Sequence, residues 1–385
     1  VLNILKGKSK MKIVSLFANI GVAEAYLEQL GFDVVIANES IKRRAELYSK
    51  IYPKTNVICG DFSSKNIFNK LVNVCKKECV DIVIATPPCQ GMSTVGQQIK
   101  GDERNNLIVP TIDFIKNILP KYAFIENVPQ FLNTYIEFKG KDIIIKDFID
   151  SQLNSKYNIE FNIVDSKNYS VPQTRERAII LITRKDQENK WTIPPKHPKI
   201  ITLKEAIGDL PIIDPFVKDV TENEMLTIFP KFKERKKEAL KISKWHNPPH
   251  HVKRQIIAMM HTPTGQSAFN NIIHKPIKEN GELVKGFPNT YKRQNWDAPA
   301  YTITMDNVKI SSQNNVHPGR QIKKDDDGSL VYSDPRTLTL FEIMKLMSLP
   351  EDWNIPANTS EAFLRRVIGE GIPPLLVKYI FENLK

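Results

Sequence analysis

The chain of 385 residues is long enough for two or three domains, and 41% hydrophobic with 25% charged residues is ordinary for a globular protein with a sizeable core. Lys and Arg number 55 against 43 Asp and Glu, a formal charge of +12 that suits a polyanionic partner, because each phosphate neutralised releases counterions. The four cysteines, Cys59, Cys75, Cys79 and Cys89, are too clustered for a disulfide framework, so a reduced, cytoplasmic protein is expected.

Near the N-terminus, Lys6, Lys8, Lys10 and Lys12 precede the apolar run Ile13 to Ile20 and imitate a secretion signal. Ser15 and Asn19 interrupt that run, and no apolar stretch is long enough to span a bilayer, so no membrane association is expected. Met11 to Phe17 reads as a buried strand, Ala18 to Gly21 as a turn, and Val22 to Leu30 as a helix. Strands follow at Phe32 to Ala37, Asn56 to Cys59 and Val80 to Ala85, separated by helices over Ile41 to Tyr52 and Ile67 to Lys77. A helix over Leu107 to Leu119 leads to the strand Tyr122 to Ile125, and Ala178 to Ile182 is a later strand. Short apolar runs alternating with helical periods predict βαβ units and a mostly parallel, doubly wound, Rossmann-like α/β sheet.

After about Arg184 the chain is rich in Pro, Lys and His, with the basic stretch Lys231 to His246; any single lysine there reads as a solvated helix face. His246, His250 and His251 read as surface residues of a Pro-rich loop. Helical periodicity returns over Thr337 to Leu349 and Glu361 to Lys385. The expected organisation is a catalytic domain over 11–183, completed by 337–385, and a smaller domain over 184–336.

Ligands of doubly wound sheets bind at the carboxyl ends of the strands. The polar residues Glu39 and Asp61 fall at such ends, beside the turn Phe17-Ala18-Asn19-Ile20-Gly21, and together suggest a nucleoside site. Thr86-Pro87-Pro88-Cys89-Gln90-Gly91 sets a cysteine on a proline-stiffened turn at another strand end, where it is held rigidly and exposed; a buried structural cysteine is the plainer alternative. Attack by that sulfur requires the thiolate, and a free thiol has a pKa of roughly 8.5. The glycines Gly91, Gly96 and Gly101 suit a closing loop after it. Glu126 ends the next strand, and Arg175 and Arg177 share one face of an extended segment. Cys75 and Cys79 stand at i,i+4 spacing, but no second Cys/His pair follows and no metal is expected.

Pro-Pro-Cys89-Gln90-Gly, Glu126-Asn127-Val128 and Gln173-Thr174-Arg175-Glu176-Arg177, in this order, resemble the DNA (cytosine-5) methyltransferase family of bacterial restriction-modification systems. The resemblance runs along most of the chain. It begins at Ser15 to Gly21, includes Arg293-Gln294-Asn295-Trp296 with Pro299 and Thr302, and ends with Arg336 to Trp353 and Gly369 to Pro374.

The resemblance implies methyl transfer from S-adenosyl-L-methionine, leaving S-adenosyl-L-homocysteine, to C5 of a flipped-out cytosine in duplex DNA. Cys89 matches the nucleophile that adds to C6, Glu126 the carboxyl on N3, Arg177 the contact to O2, and Arg175 its partner that braces the carboxyl and a phosphate. Gln90 and Ser93 match the closing loop. On the cofactor side Phe17 matches the adenine-stacking position, Ala18, Asn19 and Gly21 its turn, Glu39 the ribose acid, and Asp61 with Phe62 the adenine contacts. Pro87 and Leu107 match positions beside the methionine moiety, and Ile372 a contact of the closing motif. Residues 184–336 are then the DNA target-recognition domain of a monomer, with a paired restriction endonuclease as a possible companion.

The sequence departs from the family pattern where Ser15, Asn19 and Val22 replace an Asp and two Gly, and where the closing Gly-Asn becomes Gly369-Glu370. Four other readings compete. A DNA amino-group methyltransferase would place an aromatic after Pro87-Pro88, where Cys89 stands. A tRNA cytosine-5 enzyme would use the same Cys89 and Glu126. A non-catalytic binding module would not need Cys89, Glu126, Arg175 and Arg177 together. An NAD enzyme would carry a fuller glycine fingerprint than Phe17 to Gly21.

Overall fold

The computed structural model describes residues 10–88, 106–326 and 328–384; Cys89, Gln90 and Ser93 lie outside them. The first half builds one sheet from β1 (Lys12–Leu16), β2 (Asp33–Glu39), β3 (Asn56–Cys59), β4 (Ile82–Ala85), β5 (Tyr122–Asn127), β8 (Tyr157–Asp165) and β9 (Glu176–Arg184). A separate hairpin, β6 (Tyr135–Phe138) with β7 (Lys141–Ile144), interrupts the series. The strand order is β3-β2-β1-β4-β5-β9-β8. Strands β1 to β5 pair in parallel, and β9 lies antiparallel to both β5 and β8. The order reverses between β1 and β4, so the loops after those two strands border the crevice where such sheets take ligands.

The strands are apolar on both sides because both faces are covered. Val14, Leu16, Val83, Ala85, Ala123, Ile125, Ile180 and Ile182 face one cluster, with α2 (Lys65–Glu78), α3 (Ile108–Ile118) and α4 (Ile145–Leu153) packed against it. The alternate residues Ile13, Ile82, Ile84, Phe124, Ile179 and Leu181 face the other cluster, which α11 (Pro374–Glu382) covers with Leu376, Val377, Ile380 and Phe381. The C-terminal helix thus completes the sheet begun by the first strands.

A third cluster joins α1 (Lys42–Ile51), α5 (Leu203–Ile207), α9 (Leu340–Leu346) and α10 (Glu361–Glu370), with Ala300 and Ile303 among its buried members. Segments around 203–207 and 300–303 therefore pack with the sheet-bearing part of the chain. Two smaller clusters are confined to 217–316. One holds Val217, Met225 and Phe229 of α6 (Glu222–Ile228) and its flank, with Phe232 of α7 (Phe232–Ile242) and Ile256 of α8 (Lys253–Met260). The other gathers Ala258, Met259, Ala268, Tyr291, Ile310 and Val316. The remaining short strands are β10 (Phe216–Val217) beside β11 (His250–His251), and the hairpin β12 (Gln321–Lys324) with β13 (Leu330–Tyr332). No helix among the described residues is long and apolar enough to cross a membrane.

Two expectations need correction. Val22 to Leu30 is a run of turns, not a helix: the amides of Ala25, Leu27 and Gly31 donate to Val22, Glu24 and Glu28, three residues back. The chain is drawn down onto the sheet because the Glu24 carboxyl is buried on the Ser15 hydroxyl and the Tyr52 hydroxyl donates to the Gly21 carbonyl. The apolar period still points Ala23, Leu27 and Leu30 inward. Second, His246 and His251 are buried, and only His250 of the three is exposed. His246 Nδ1 meets Thr339 Oγ1 at 2.9 Å, and His251 Nε2 accepts from the Thr337 amide at 3.1 Å, so both rings anchor the Pro-rich loop to the start of α9.

Beside them lies a buried ion network. Arg336 spans Asp334 at 2.7 Å and Glu342 at 2.8 Å, with all three side chains shut from solvent. Burial opposes the Glu342 carboxylate, but the Arg336 charge outweighs it and holds the group at about 2. Arg336→Met leaves two buried carboxylates without their cation and is expected to cost roughly 3–5 kcal/mol of unfolding free energy, read by denaturant titration.

Candidate active site

Three strand ends and one turn converge at the crevice. The chain leaves β1 with Phe17 at φ 58°, Asn19 at φ 50° and Gly21 at φ 83°. A Cβ on Gly21 would lie 2.1 Å from the Tyr52 ring, so glycine is required there on both conformational and steric grounds. The Ala18 amide donates to the Asn38 carbonyl at 2.9 Å, and the Asn19 amide donates to Glu39 Oε2 at 2.9 Å. Glu39 Oε1 accepts from the Ile41 amide at 2.8 Å. Glu39, at the end of β2, is therefore oriented by backbone donors on either side. Phe17 meets Phe62 edge-on at 5.2 Å, and Asp61, on the loop after β3, accepts from the Ser63 amide at 2.9 Å.

After β4, the Thr86 hydroxyl donates to the Phe17 carbonyl at 3.2 Å, and Asn127 Nδ2 donates to the Pro87 carbonyl at 2.9 Å. Asn127 Oδ1 in turn accepts from the Val128 amide at 2.9 Å. The buried Asn127 side chain thus fixes the turn that leads into Cys89. No role was expected for Asn127; its place at the last position of β5, next to Glu126, is the signal that could have found it.

Glu126 pairs in register with Ile179 of β9, and Arg177 lies two residues earlier on the same face, a diagonal neighbour. Arg177 Nε contacts Glu126 Oε1 at 2.9 Å. Burial raises the Glu126 carboxyl above its ordinary value, and the charge of Arg177, then that of Arg175, pulls it partly back. The pair is a carboxyl poised toward its protonated form with a cation beside it.

Arg175 is placed differently. Its guanidinium is buried and donates to the carbonyls of Ile303 at 2.7 Å, Gly369 at 3.0 Å and Gly371 at 2.7 Å. Its brace runs to backbone carbonyls of the closing motif, while its charge reaches Glu126. Gln173 extends the same seam by accepting from the Ile303 amide at 3.0 Å, and Thr174 donates its amide to Ala300 at 2.8 Å. Ile372 is buried in the cluster behind the sheet, and Leu107 sits at the N-terminal end of α3.

The departures from the family pattern fall together. Asn19 keeps the left-handed turn, which Asn tolerates better than most side chains, and its Nδ2 donates to the Val367 carbonyl of α10 at 3.0 Å. Val22 packs where a Cβ on Gly371 would come within 2.9 Å of it. Glu370 pairs with Arg44 of α1 at 2.8 Å. Asn19, Val22 and Glu370 thus tie the first turn or its neighbouring helix to the closing segment, while Ser15 donates to the buried Glu24 carboxyl.

A family model of C-5 cytosine-specific DNA methylases matches residues 11–385. The chain belongs to this family. It is 42% identical over 382 residues to the Type II methyltransferase M1.HgaI of Avibacterium volantium, covering 98% of this chain and 99% of that one. The Type II methyltransferase M.DdeI of Desulfomicrobium norvegicum is 26% identical over 97% of this chain and 88% of its own. Among solved structures, a candidate DNA modification methyltransferase encoded within an E. coli prophage superposes with TM-score 0.63 at 18% identity, covering 97% and 98% of the two chains. The S. pombe Dnmt2 methyltransferase gives 0.58 at 16% identity, covering 97% of each. At these identities the structures bear on the fold alone. The protein is a DNA cytosine-5 methyltransferase with the α/β, mostly parallel sheet of its structural neighbours.

Beneath the turn after β1 lies a buried acid. Burial pushes the Glu24 carboxyl up to about 7, against the opposing hydrogen bond from Ser15, and the phenols of Tyr48 in α1 and of Tyr52 just past its end lie near it. A raised carboxyl is neutral in the fold at low pH, so its contribution is fully present below the unfolded value of 4.5 and is lost as pH rises through about 7. Glu24→Gln is expected to gain on wild type by up to about 3 kcal/mol between pH ~4.5 and ~8. Denaturant titrations across that range read the change, and a constant difference contradicts it.

Proposed function

We propose that this enzyme transfers the methyl group of S-adenosyl-L-methionine to C5 of a cytosine flipped out of duplex DNA, through a covalent bond between Cys89 and C6. The observation that carries the reading is the buried Glu126–Arg177 pair at 2.9 Å, set one residue from the Asn127 that holds the Pro87 carbonyl ahead of Cys89.

The donor set at the strand ends fits an adenosyl group. Glu39, held by two backbone amides, has lone pairs to spare for ribose hydroxyls; Asp61 would accept from the adenine amino group; and Phe17, edge-on to Phe62, would offer its ring to the base. Ala18, Asn19 and Gly21 shape the turn, Pro87 and Leu107 would border the methionine end, and Ile372 would be a contact of the closing motif. The sulfonium of the bound cofactor supplies the methyl group that C5 accepts.

The chain's own residues do the rest. Cys89 attacks C6 as the thiolate, and the electron pair of the 5,6 double bond is pushed toward N3, which takes a proton from Glu126. Burial favours that protonated carboxyl. Arg177 holds cytosine O2 and keeps Glu126 aimed. After methylation a base removes the C5 proton, the 5,6 double bond re-forms, the Cys89 sulfur leaves, and N3 returns its proton to Glu126. Gln90 and Ser93 belong to the loop that closes over the flipped base, whose extrusion costs a few kcal/mol. Arg175 holds the closing segment behind this pair. Residues 184–336 serve target recognition, with lysines and arginines positioning phosphates. The relatives' names place them in type II systems, so a restriction endonuclease of the same specificity is the companion we propose.

Incubation with S-adenosyl-L-methionine and duplex DNA carrying 5-fluorocytosine tests the reaction, since fluorine cannot leave as a proton does. Wild type should form an adduct stable to denaturation and Cys89→Ser none. Glu126→Gln should lose roughly 10²–10⁴ in kcat on ordinary duplex. Methyl transfer to DNA without any adduct would establish an amino-group acceptor instead, and adducts on tRNA alone would establish the RNA reading.

A further inference from the structure

The four most exposed large apolar side chains among the described residues lie in one short segment: Ile272 at 93%, Phe287 at 76%, and Ile273 and Leu283 at 60% each. Isolated exposed apolar residues are ordinary, but a contiguous set of this size marks a contact surface.

The segment is a built element. At its base Asn271 Nδ2 donates to the carbonyls of Ala258 at 3.1 Å and His274 at 2.8 Å, and to Thr262 Oγ1 at 3.2 Å. At the other end Tyr291 is buried in the cluster formed by Ala258, Met259 and Ala268, with Val284 packed against it. Between these roots a narrow two-stranded ribbon runs outward. Ile277 bridges Leu283 antiparallel, the Lys278 amide donates to the Glu282 carbonyl at 2.7 Å, and the Val284 amide to the Pro276 carbonyl at 2.9 Å. Gly281 turns the tip at φ 84°. The apolar side chains are interleaved with exposed Lys275, Lys278 and Lys285, against Glu279 and Glu282. Glu282 is taken up by Lys278 at 2.8 Å.

We infer that the ribbon over 272–287 enters the major groove of the DNA target, with Ile272 and Phe287 making apolar contacts to base edges and its lysines on the flanking phosphates. The inference rests on the DNA reading above and names where on the chain the sequence is read. Shape selects this occupant first, and Lys275 and Lys285, outside the Lys278–Glu282 pair, add positive charge against the remaining acid Glu279. A two-stranded ribbon matches the width of the major groove, where thymine methyls are the apolar features and phosphates line both walls. A ribbon of this width is too slender to supply the roughly 800 Å² per partner that a stable protein–protein interface buries. Its roots lie in a cluster separate from the sheet, so it can be shaped by the target without disturbing the catalytic strand ends.

The experiment uses the full chain expressed in a host lacking cytosine-5 methylation, with 5-methylcytosine mapped at base resolution on host and plasmid DNA. Wild type, Ile272→Ser and Phe287→Ser are compared with Tyr135→Ser, an apolar position 58% exposed on the hairpin outside the segment. For each, methyl transfer on the mapped site, S-adenosyl-L-methionine affinity and thermal midpoint are measured in vitro. The ribbon variants should lose at least tenfold in kcat/KM on the mapped duplex, or methylate a relaxed set of sites. Their cofactor affinity and midpoint should match wild type, and Tyr135→Ser should match it throughout. Unchanged kcat/KM and an unchanged site in both ribbon variants would overturn the inference. A wild type that methylates no defined DNA site would remove the DNA reading itself, and this inference with it.

Discussion

The site depends on one buried guanidinium. Arg175, at the entrance to β9, gives its donors to the carbonyls of Ile303, Gly369 and Gly371. These three acceptors belong to segments more than a hundred residues away in the chain, and nothing local would bring them together. A planar fork with five donors can satisfy several carbonyls at once, which an ammonium on a flexible stem does less well. Where Arg175 sits, β9 is fixed against the closing motif. Arg177, two residues on, is thereby aimed at Glu126 across the antiparallel β5–β9 ladder.

The same seam explains how the first turn tolerates its unusual residues. A turn built with fewer glycines loses conformational freedom and gains side chains that must go somewhere. Asn19 sends its amide to Val367, and Val22 fills the space over Gly371. Gly369 passes so near Thr304 that a Cβ would lie 2.3 Å from its carbonyl oxygen. The turn after β1, the seam at 303–304 and the end of α10 are therefore packed as one body. A change at any of them is transmitted to the others through the Asn19 and Val22 side chains, the Arg175 guanidinium and the close Gly369–Thr304 approach.

Much of this was legible in the sequence. Strands covered on both faces read as continuous apolar runs, which is why β1 to β5 could be placed to within a residue or two. Polar residues interrupting those runs at their carboxyl ends marked Glu39, Asp61 and Glu126. What could not be read came from contacts distant in sequence. Val22 to Leu30 has a helical period, but the tethers on Glu24 and Gly21 bend it into turns. His246 and His251 look like loop residues until Thr339 and Thr337 arrive from 93 and 86 residues away to receive them. The antiparallel setting of β9 and the hairpin of β6 and β7 are matters of pairing, and pairing is not written in the period of a single strand. Likewise Arg175 and Arg177 share a face by alternation alone, yet one serves the scaffold and the other the carboxyl.

The most direct test of this account is the affinity of Arg175→Lys for S-adenosyl-L-methionine, measured by calorimetry in the absence of DNA. If the guanidinium holds the closing segment over the cofactor site, the lysine variant should bind at least tenfold more weakly. Wild-type cofactor affinity in this variant, with a loss confined to duplex binding, would contradict the account and make Arg175 a phosphate contact.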